Sequence, residues 1–324
     1  MIQTTVSDEL CCIKIPPLFT VVETVQFGKK FKEVCESEAS ISKINLDFSQ
    51  TNFMDSSGIG TLVVCRKIAE KKEIDLVLTH VPAPVMMALS LTALDQIFTI
   101  EKAKNVSDQP VSRQSKEQLI ATHPSVKSRA KRLMDIVGSL VGLSITAALF
   151  IPIALAITLD NPGPIFFRQE RCSWMGQRFK IWKFRSMVVN AEALKDKVEN
   201  QVEGPLFKNK NDPRVTKVGR FLRKSSLDEL PQFWNVLKGE MSLVGTRPPT
   251  PKELEEYEIP QWQRLDVKPG MTGEWQVNGR SSVKSFEDVI KMDLQYQENW
   301  SLIYDIKLIF KTIAVLFNKK SGAY

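Results

Sequence analysis

Asp228 and Glu229 are adjacent carboxylates in the stretch "SSLDELPQFWNVLKGEMSLVGTRPP", residues 225–249, with Arg220, Arg223 and Lys224 just upstream and Arg247 downstream. Two readings fit this spacing. Ser226-Leu-Asp-Glu229 has the form of a capping box, in which a serine caps the first helical turn and a glutamate bonds back. A positioned, ionised carboxylate is also a nucleophile toward phosphorus or a ligand for Mg²⁺. The arginines of "DPRVTKVGRFLRKSS", "VGTRPP" and "VNGRSS" suit bidentate contacts to phosphate oxygens. One arginine alone would be read as part of a solvated face; their repetition beside Asp-Glu, Gly and Pro favours anion chemistry. Pro231 locates the helix, because proline is tolerated in a first helical turn and costly deeper in. The expected helix starts close to Leu230 or Pro231 and runs through "PQFWNVLK" to Gly239. The acidic pair then lies at the positive end of the helix, where the dipole and nearby arginines favour the ionised form.

The whole chain bounds that chemistry. At 324 residues, 43% hydrophobic and 25% charged, it is long enough for two ordinary folded domains. The net charge of +7 predicts anionic partners such as phosphates, acidic lipid headgroups or nucleic acid. No recognised nucleic-acid motif accompanies the charge, so nucleic acid is set aside. His80 and His123 are the only histidines, and both read as structural, which argues against a serine–histidine triad or a histidine-rich zinc site. The five cysteines, at 11, 12, 35, 65 and 172, are odd in number and form no CxxC pair, as expected in a reducing cytoplasm. No signal peptide is expected, since the first apolar segments are short and interrupted by charges.

Three regions must position the carboxylates. Residues 1–103 alternate strand-like runs ("ELCCIKI", "KINLDF", "IDLVLTHV") with helical ones ("GIGTLVVCRKIAEKKE", "PAPVMMALSLTALDQIF"), the pattern of a small α/β domain. Residues 104–127 are polar, with Pro, Ser and Gln, and read as a linker with room for a short helix. From 128 onward the character changes. Ile136 to Leu159 is 24 residues without a charge, which at ~1.5 Å per residue reaches roughly 36 Å, enough to cross a hydrocarbon core. Pro152 interrupts it, removing a helical hydrogen bond. Both flanks are basic: Lys127, Arg129, Lys131 and Arg132 before; Arg168, Arg171, Arg178, Lys180, Lys183 and Arg185 after. Positive flanks favour the cytoplasmic side, so a hairpin over 133–159 that breaks at Pro152 and returns to the same face satisfies both facts. A full span is the alternative. Near the C-terminus, "WSLIYDIKLIFKTIAVLF" reads as a packed core helix, with an interfacial helix as the alternative.

Residues 128–324 resemble the bacterial sugar transferase family, the monotopic polyprenyl-phosphate phosphoglycosyl transferases. The matching stretches are "KRLMDI", "NPGPIFFRQER", "FKIWKFRSM", "DPRVTKVGRFLRKSSLDELPQFWNVLKGEMSLVGTRPP" and "VKPGMTGEWQVNGRSS", in that order. The resemblance implies a mostly α, monotopic membrane domain with a re-entrant helix. It implies transfer of a sugar 1-phosphate from a UDP-sugar to undecaprenyl phosphate, with UMP released, at the cytoplasmic face of the bacterial inner membrane. That is the first membrane step of polysaccharide or glycoconjugate synthesis. By motif, Asp228 matches the nucleophile that forms a phospho-aspartate and Glu229 its acidic partner, the two together holding Mg²⁺. Lys183, Arg223, Arg247, Arg280 and Asp293 fall at positions associated with the family's substrate phosphate site. One departure stands out: the family carries Ser-Pro at the membrane break, and this chain has Ile151-Pro152.

Residues 5–103, through "FMDSSGIG", resemble the STAS domain of anti-sigma factor antagonists, an α/β fold. In its switching members the serine matching Ser56 is phosphorylated. Structurally, Asp55 or Ser56 is a good N-cap for the helix that follows. A STAS domain implies regulation, self-association into a homo-oligomer, or recruitment of a regulatory protein. The competing assignment from another class is a membrane-anchored STAS regulator or scaffold without transferase activity. The "LDELP" motif and arginine loops discriminate for the enzyme, because an anchor has no use for them.

Overall fold

The computed structural model describes residues 2–7, 9–37, 41–101, 123–194, 198–201, 209, 211–278 and 285–317. Most of the expected 104–127 linker and Arg280 lie outside the described residues. The chain divides into two compact units. The first comprises Met1–Thr122 together with Trp174–Gln177 and Tyr257–Asp266; the second comprises His123–Ser173, Arg178–Glu256 and Val267–Tyr324.

In the first unit the expected strand runs become β2 (Leu10–Lys14), β4 (Lys43–Asp47) and β6 (Asp75–Thr79), joined by β1 (Thr4–Ser7) and β7 (Thr99–Ile100). They form one five-stranded sheet in the order β1-β2-β4-β6-β7, antiparallel between β1 and β2 and parallel elsewhere. Parallel neighbours need crossovers, which α1 (Val21–Glu36), α2 (Ser56–Lys71) and α3 (Ala83–Leu91) supply. A second pairing, β3 (Leu18–Phe19) with β5 (Phe53–Met54), runs parallel. The sequence reading has no helix over 21–36. Its signal is the helical spacing of buried Phe27, Phe31, Val34 and Cys35, opened by a capping box in which the Thr20 hydroxyl donates to Glu23 at 2.6 Å. Asp55, not Ser56, caps α2: its carboxylate accepts from the Gly58 amide at 3.0 Å. All five cysteines are free thiols.

The second unit is mostly helical. After α4 (Pro124–Lys127) comes α5 (Arg129–Asp160), 32 residues, or roughly 48 Å at ~1.5 Å per residue. Its secondary structure is continuous through Pro152; a proline within a helix bends it without ending it. Ile151 is 75% exposed where the family has serine. Lys131, Asp135, Ser139, Gly142 and Thr146 recur at helical spacing on one buried stripe, which Ile153 and Ile157 continue. Off that stripe Leu133, Val137, Val141, Ile145, Leu155 and Leu159 are exposed. Over residues 131–146 the helix is thus mostly polar where it meets protein and apolar where it does not, the reverse of a soluble surface helix, while Ile153 and Ile157 join an apolar cluster. Gly142 permits this packing: a Cβ there would lie 2.4 Å from the Phe233 ring.

Beyond α5 follow the antiparallel pair β8 (Phe166–Cys172) and β9 (Arg178–Phe184), then α6 (Lys217–Lys224) and α7 (Phe233–Lys238). The parallel pair β10 (Ser242–Val244) and β11 (Gly270–Thr272) brackets α8 (Pro251–Glu255) in sequence. The unit ends with α9 (Glu274–Asn278), α10 (Phe286–Glu298) and α11 (Leu302–Phe317). The last helix has both an apolar core face, with Leu308 fully buried, and an exposed one, with Ile303, Phe310 and Ile313.

Several of the cations counted as basic flanks are engaged inside the protein. Lys131 is buried and donates to Asp305 at 2.5 Å and to the Val244 carbonyl at 2.9 Å. Arg132 donates to the carbonyls of Val236 and Leu237, satisfying the C-terminal end of α7. Arg185 is buried and donates to the Asn161 carbonyl. The positive-inside argument therefore rests on fewer residues than the sequence count suggests. Asp305 also accepts from Tyr296 at 2.8 Å and from Trp300 at 3.1 Å. Removing it strands a buried ammonium, so Asp305→Ala is expected to destabilise the unit by about 3–5 kcal/mol in denaturant unfolding.

Candidate active site

Asp228 and Glu229 lie inside a 3₁₀ turn, Leu227–Gln232, that runs directly into α7. The α-helix therefore begins at Phe233, later than expected, and Pro231 is within the preceding 3₁₀ turn instead of at the helix start. The capping box is absent. Ser226 adopts a left-handed conformation, φ 55°, with no side-chain cap, and a serine holds that geometry at a cost of about 1 kcal/mol or more. That residue separates α6 from the turn. At the far end Gly239, φ 84°, caps α7, a position where glycine is favoured.

The turn buries Asp228, 7% exposed, and leaves Glu229 half-buried. Lys183 on β9 donates to the Glu229 carboxylate at 2.7 Å. Arg223, in the last turn of α6, donates through Nε to the Ser186 hydroxyl at 2.9 Å. Burial pushes the Asp228 carboxyl upward from its ordinary pKa; Lys183 opposes this, Glu229 adds to it, and Arg223 opposes it again. The nearby cations do favour the charged form, as expected, but desolvation outweighs them and the net shift is upward. Burial likewise lowers the Arg223 pKa, against the support of Asp228.

Arg247 is held in a two-pronged pair with Glu253, at 2.9 and 3.1 Å. A phosphate at Arg247 must share or displace that carboxylate. Burial disfavours the Glu253 charge, but Arg247 and neighbouring donors outweigh it and hold its pKa low. Arg171 on β8 lies near this pair; its pKa is pushed down to about 10 by burial and then by the like charge of Arg247, while Glu253 and Glu229 act to raise it. Neither Glu253 nor Arg171 was singled out as a site residue from the sequence. Glu253 carried a signal, since "TPKE" is a capping box with proline in the first turn, and Thr250 indeed caps α8. Asp293 is 1% exposed on α10. The two histidines have structural partners: His80 meets Asp47 at 2.9 Å and His123 meets Ser125 at 2.8 Å.

Among the described residues no group of three or more His, Cys, Asp or Glu side chains forms a metal cage. A Mg²⁺ shared with substrate phosphates needs only one or two carboxylates, and Asp228 and Glu229 are such a donor set. The arrangement as a whole is one buried carboxylate beside a second, with Lys183 and Arg223 acting on it and an Arg247–Glu253 pair following in sequence. Residues of these types can bind anions, and a carboxylate so placed is chemically able to attack phosphorus.

Comparisons with known proteins match both halves of the chain. The family model described as "Bacterial sugar transferase" matches residues 126–319, and the model described as "STAS domain" matches residues 1–107. Similar proteins include "Galactosyl transferase CpsE" of Streptococcus agalactiae, 49% identical over 58% of this chain and 42% of that protein. "Undecaprenyl-phosphate galactose phosphotransferase" of Salmonella typhimurium is 46% identical over 60% of this chain and 41% of that protein. The "Exopolysaccharide production protein ExoY" of Rhizobium meliloti is 38% identical over 61% of this chain and 89% of that protein. The chain spans about two-fifths of the length of the first two. With its carboxylate turn, long apolar helix and family match in the same region, the chain belongs to the bacterial sugar transferase family and carries a STAS domain before it.

Proposed function

We propose that this chain transfers a sugar 1-phosphate from a UDP-sugar to undecaprenyl phosphate through a phospho-aspartate on Asp228. The supporting observation is the burial of Asp228 with the charges of Lys183 and Arg223 acting on it, and Glu229 fixed by Lys183 at 2.7 Å. An Asp228 oxygen attacks the β-phosphorus, the bond from that phosphorus to the UMP oxygen breaks, and UMP leaves. A phosphate oxygen of undecaprenyl phosphate then attacks the same phosphorus; the aspartyl–phosphorus bond breaks and Asp228 is regenerated. Lys183 and Arg223 face charge that grows on the transferring oxygens, generally the largest contribution in phosphoryl transfer. Asp228 and Glu229 would hold Mg²⁺ against the diphosphate, where its charge offsets that of the phosphates. Base catalysis by Glu229 ranks lower, because a phosphate monoester with second pKa near ~6 is already largely dianionic at neutral pH.

The test is incubation of the full chain with β-³²P-labelled UDP-galactose or UDP-glucose and no acceptor. Label should appear on the peptide containing Asp228, with at most one UMP released per chain, and undecaprenyl phosphate should remove it. Turnover without any labelled protein would overturn the covalent route.

The membrane reading rests on the exposed apolar side of α5. In this reading the helix re-enters the cytoplasmic face of the inner membrane, bending at Pro152. Cysteines introduced at Lys127 and Pro162 should then both label from the cytoplasmic side; labelling from opposite sides marks a span. The STAS domain would regulate transfer or recruit a partner, with Ser56 as the phosphorylated position. Phosphopeptide mass spectrometry on the native protein tests that assignment.

A further inference from the structure

Ser56 is fully buried, and what buries it comes from far along the chain. Tyr257–Asp266 falls within the sugar transferase match, yet it belongs to the first compact unit. Ile259–Asp266 forms a 3₁₀ helix. The Ser56 amide donates to the Asp266 carboxyl at 3.2 Å, and its hydroxyl lies 2.8 Å from the Trp262 carbonyl and 2.5 Å from the Asp266 carboxyl. A hydroxyl has one proton to donate. Both contacts are satisfied when Ser56 donates to Trp262 and a protonated Asp266 donates to Ser56. That protonation state is supported by burial and then by the neighbouring Asp55, which push the Asp266 pKa to about 7.

Shape agrees with hydrogen bonding. The Trp262 ring lies flush on Gly60 of α2: a Cβ at position 60 would sit 2.3–2.5 Å from three ring atoms. A Cβ on Gly28 of α1 would meet Ile259 at 2.7 Å. Two glycines on separate helices thus make room for two side chains of one segment, while Ser56 holds its end.

We propose that Tyr257–Asp266 is an internal ligand of the STAS domain, latched at Ser56 and seated on Gly60, and that negative charge at position 56 expels it. Charge there would face Asp266 and Asp55 at a fully buried position, where solvent screening is weak. The segment continues at one end from Glu253, the partner of Arg247, and at the other into β11. Its release therefore loosens chain on both sides of it.

Hydrogen exchange by mass spectrometry on the full chain tests the latch, and it reports docking whether or not the chain transfers sugar. In the wild type the 257–266 amides should be protected. Ser56→Asp and Gly60→Ala should each speed their exchange at least tenfold, with β4 and β6 unchanged. Gly60→Ala is the cleaner variant, because alanine favours α2 itself while its methyl group evicts Trp262. Trp262→Ala should reciprocally speed exchange at the start of α2. Wild-type protection of 257–266 in Ser56→Asp and Gly60→Ala, or free exchange of the segment in the wild type, overturns the proposal. If Ser56→Asp and Gly60→Ala also lose protection in β4 and β6, Trp262→Ala decides: unchanged exchange at α2 overturns it.

Discussion

Asp228→Asn is expected to lower UMP release on the order of 10⁴-fold or more and to abolish labelling by UDP-sugar. Asparagine keeps the size of the side chain but has no anionic oxygen to attack phosphorus, so the loss should fall on kcat. The same substitution should not cost stability. Burial raises the Asp228 pKa in the fold, so the folded state prefers the protonated form. This group's favourable contribution is then complete below the ordinary carboxylate range, near about 4, and is lost as pH rises through the raised pKa. At neutral pH the wild type bears that cost and the asparagine variant does not. Its Tm should equal or exceed that of the wild type, the pattern of a site strained for function. An inactive variant with a clearly lower Tm points to a structural carboxylate instead. Asp228→Glu should retain little activity, because moving the attacking oxygen by about 1 Å costs on the order of 10²-fold.

Lys183→Met should reduce kcat/KM by about 10²–10³-fold and shift the acid limb of its pH profile upward. The ammonium pairs with Glu229 at 2.7 Å and is the leading opponent of Asp228 protonation. Without it the Asp228 pKa rises further, so a higher pH is needed to produce the nucleophile, and part of the loss should recover in alkaline buffer. Lys183→Arg restores the charge but not the compact geometry; it should bring the acid limb back while recovering only part of the rate. A uniform loss with no movement of the acid limb would assign Lys183 to substrate binding alone.

Much of this was legible in local sequence because the signals are local. Strand runs at 10–14, 43–47 and 75–79 alternate with helical periodicity, and a parallel α/β sheet follows from chain connectivity. A 24-residue stretch without charge specifies a long apolar helix whatever surrounds it. "LDELP" marks an acidic pair beside a helix start, and its role came from the family resemblance. The miss at 21–36 was of the same local kind, a helical spacing and capping box left unread.

Tertiary structure decided everything that depends on which distant residues meet. Ser226-x-x-Glu229 had the letters of a capping box, but a left-handed Ser226 and Lys183 claim those groups instead. Arginines near Asp228 promised a lowered carboxyl pKa; burial by the surrounding fold outweighed the cations and raised it. Lys131 reads as a membrane-flanking cation until Asp305, 174 positions away, closes on it. Ser56 reads as a candidate helix cap until Asp266 and Trp262 are seen to cover it. Periodicity and propensity act over a few residues through backbone geometry, whereas desolvation and ion pairing depend on proximity in space, which no window of neighbouring residues encodes.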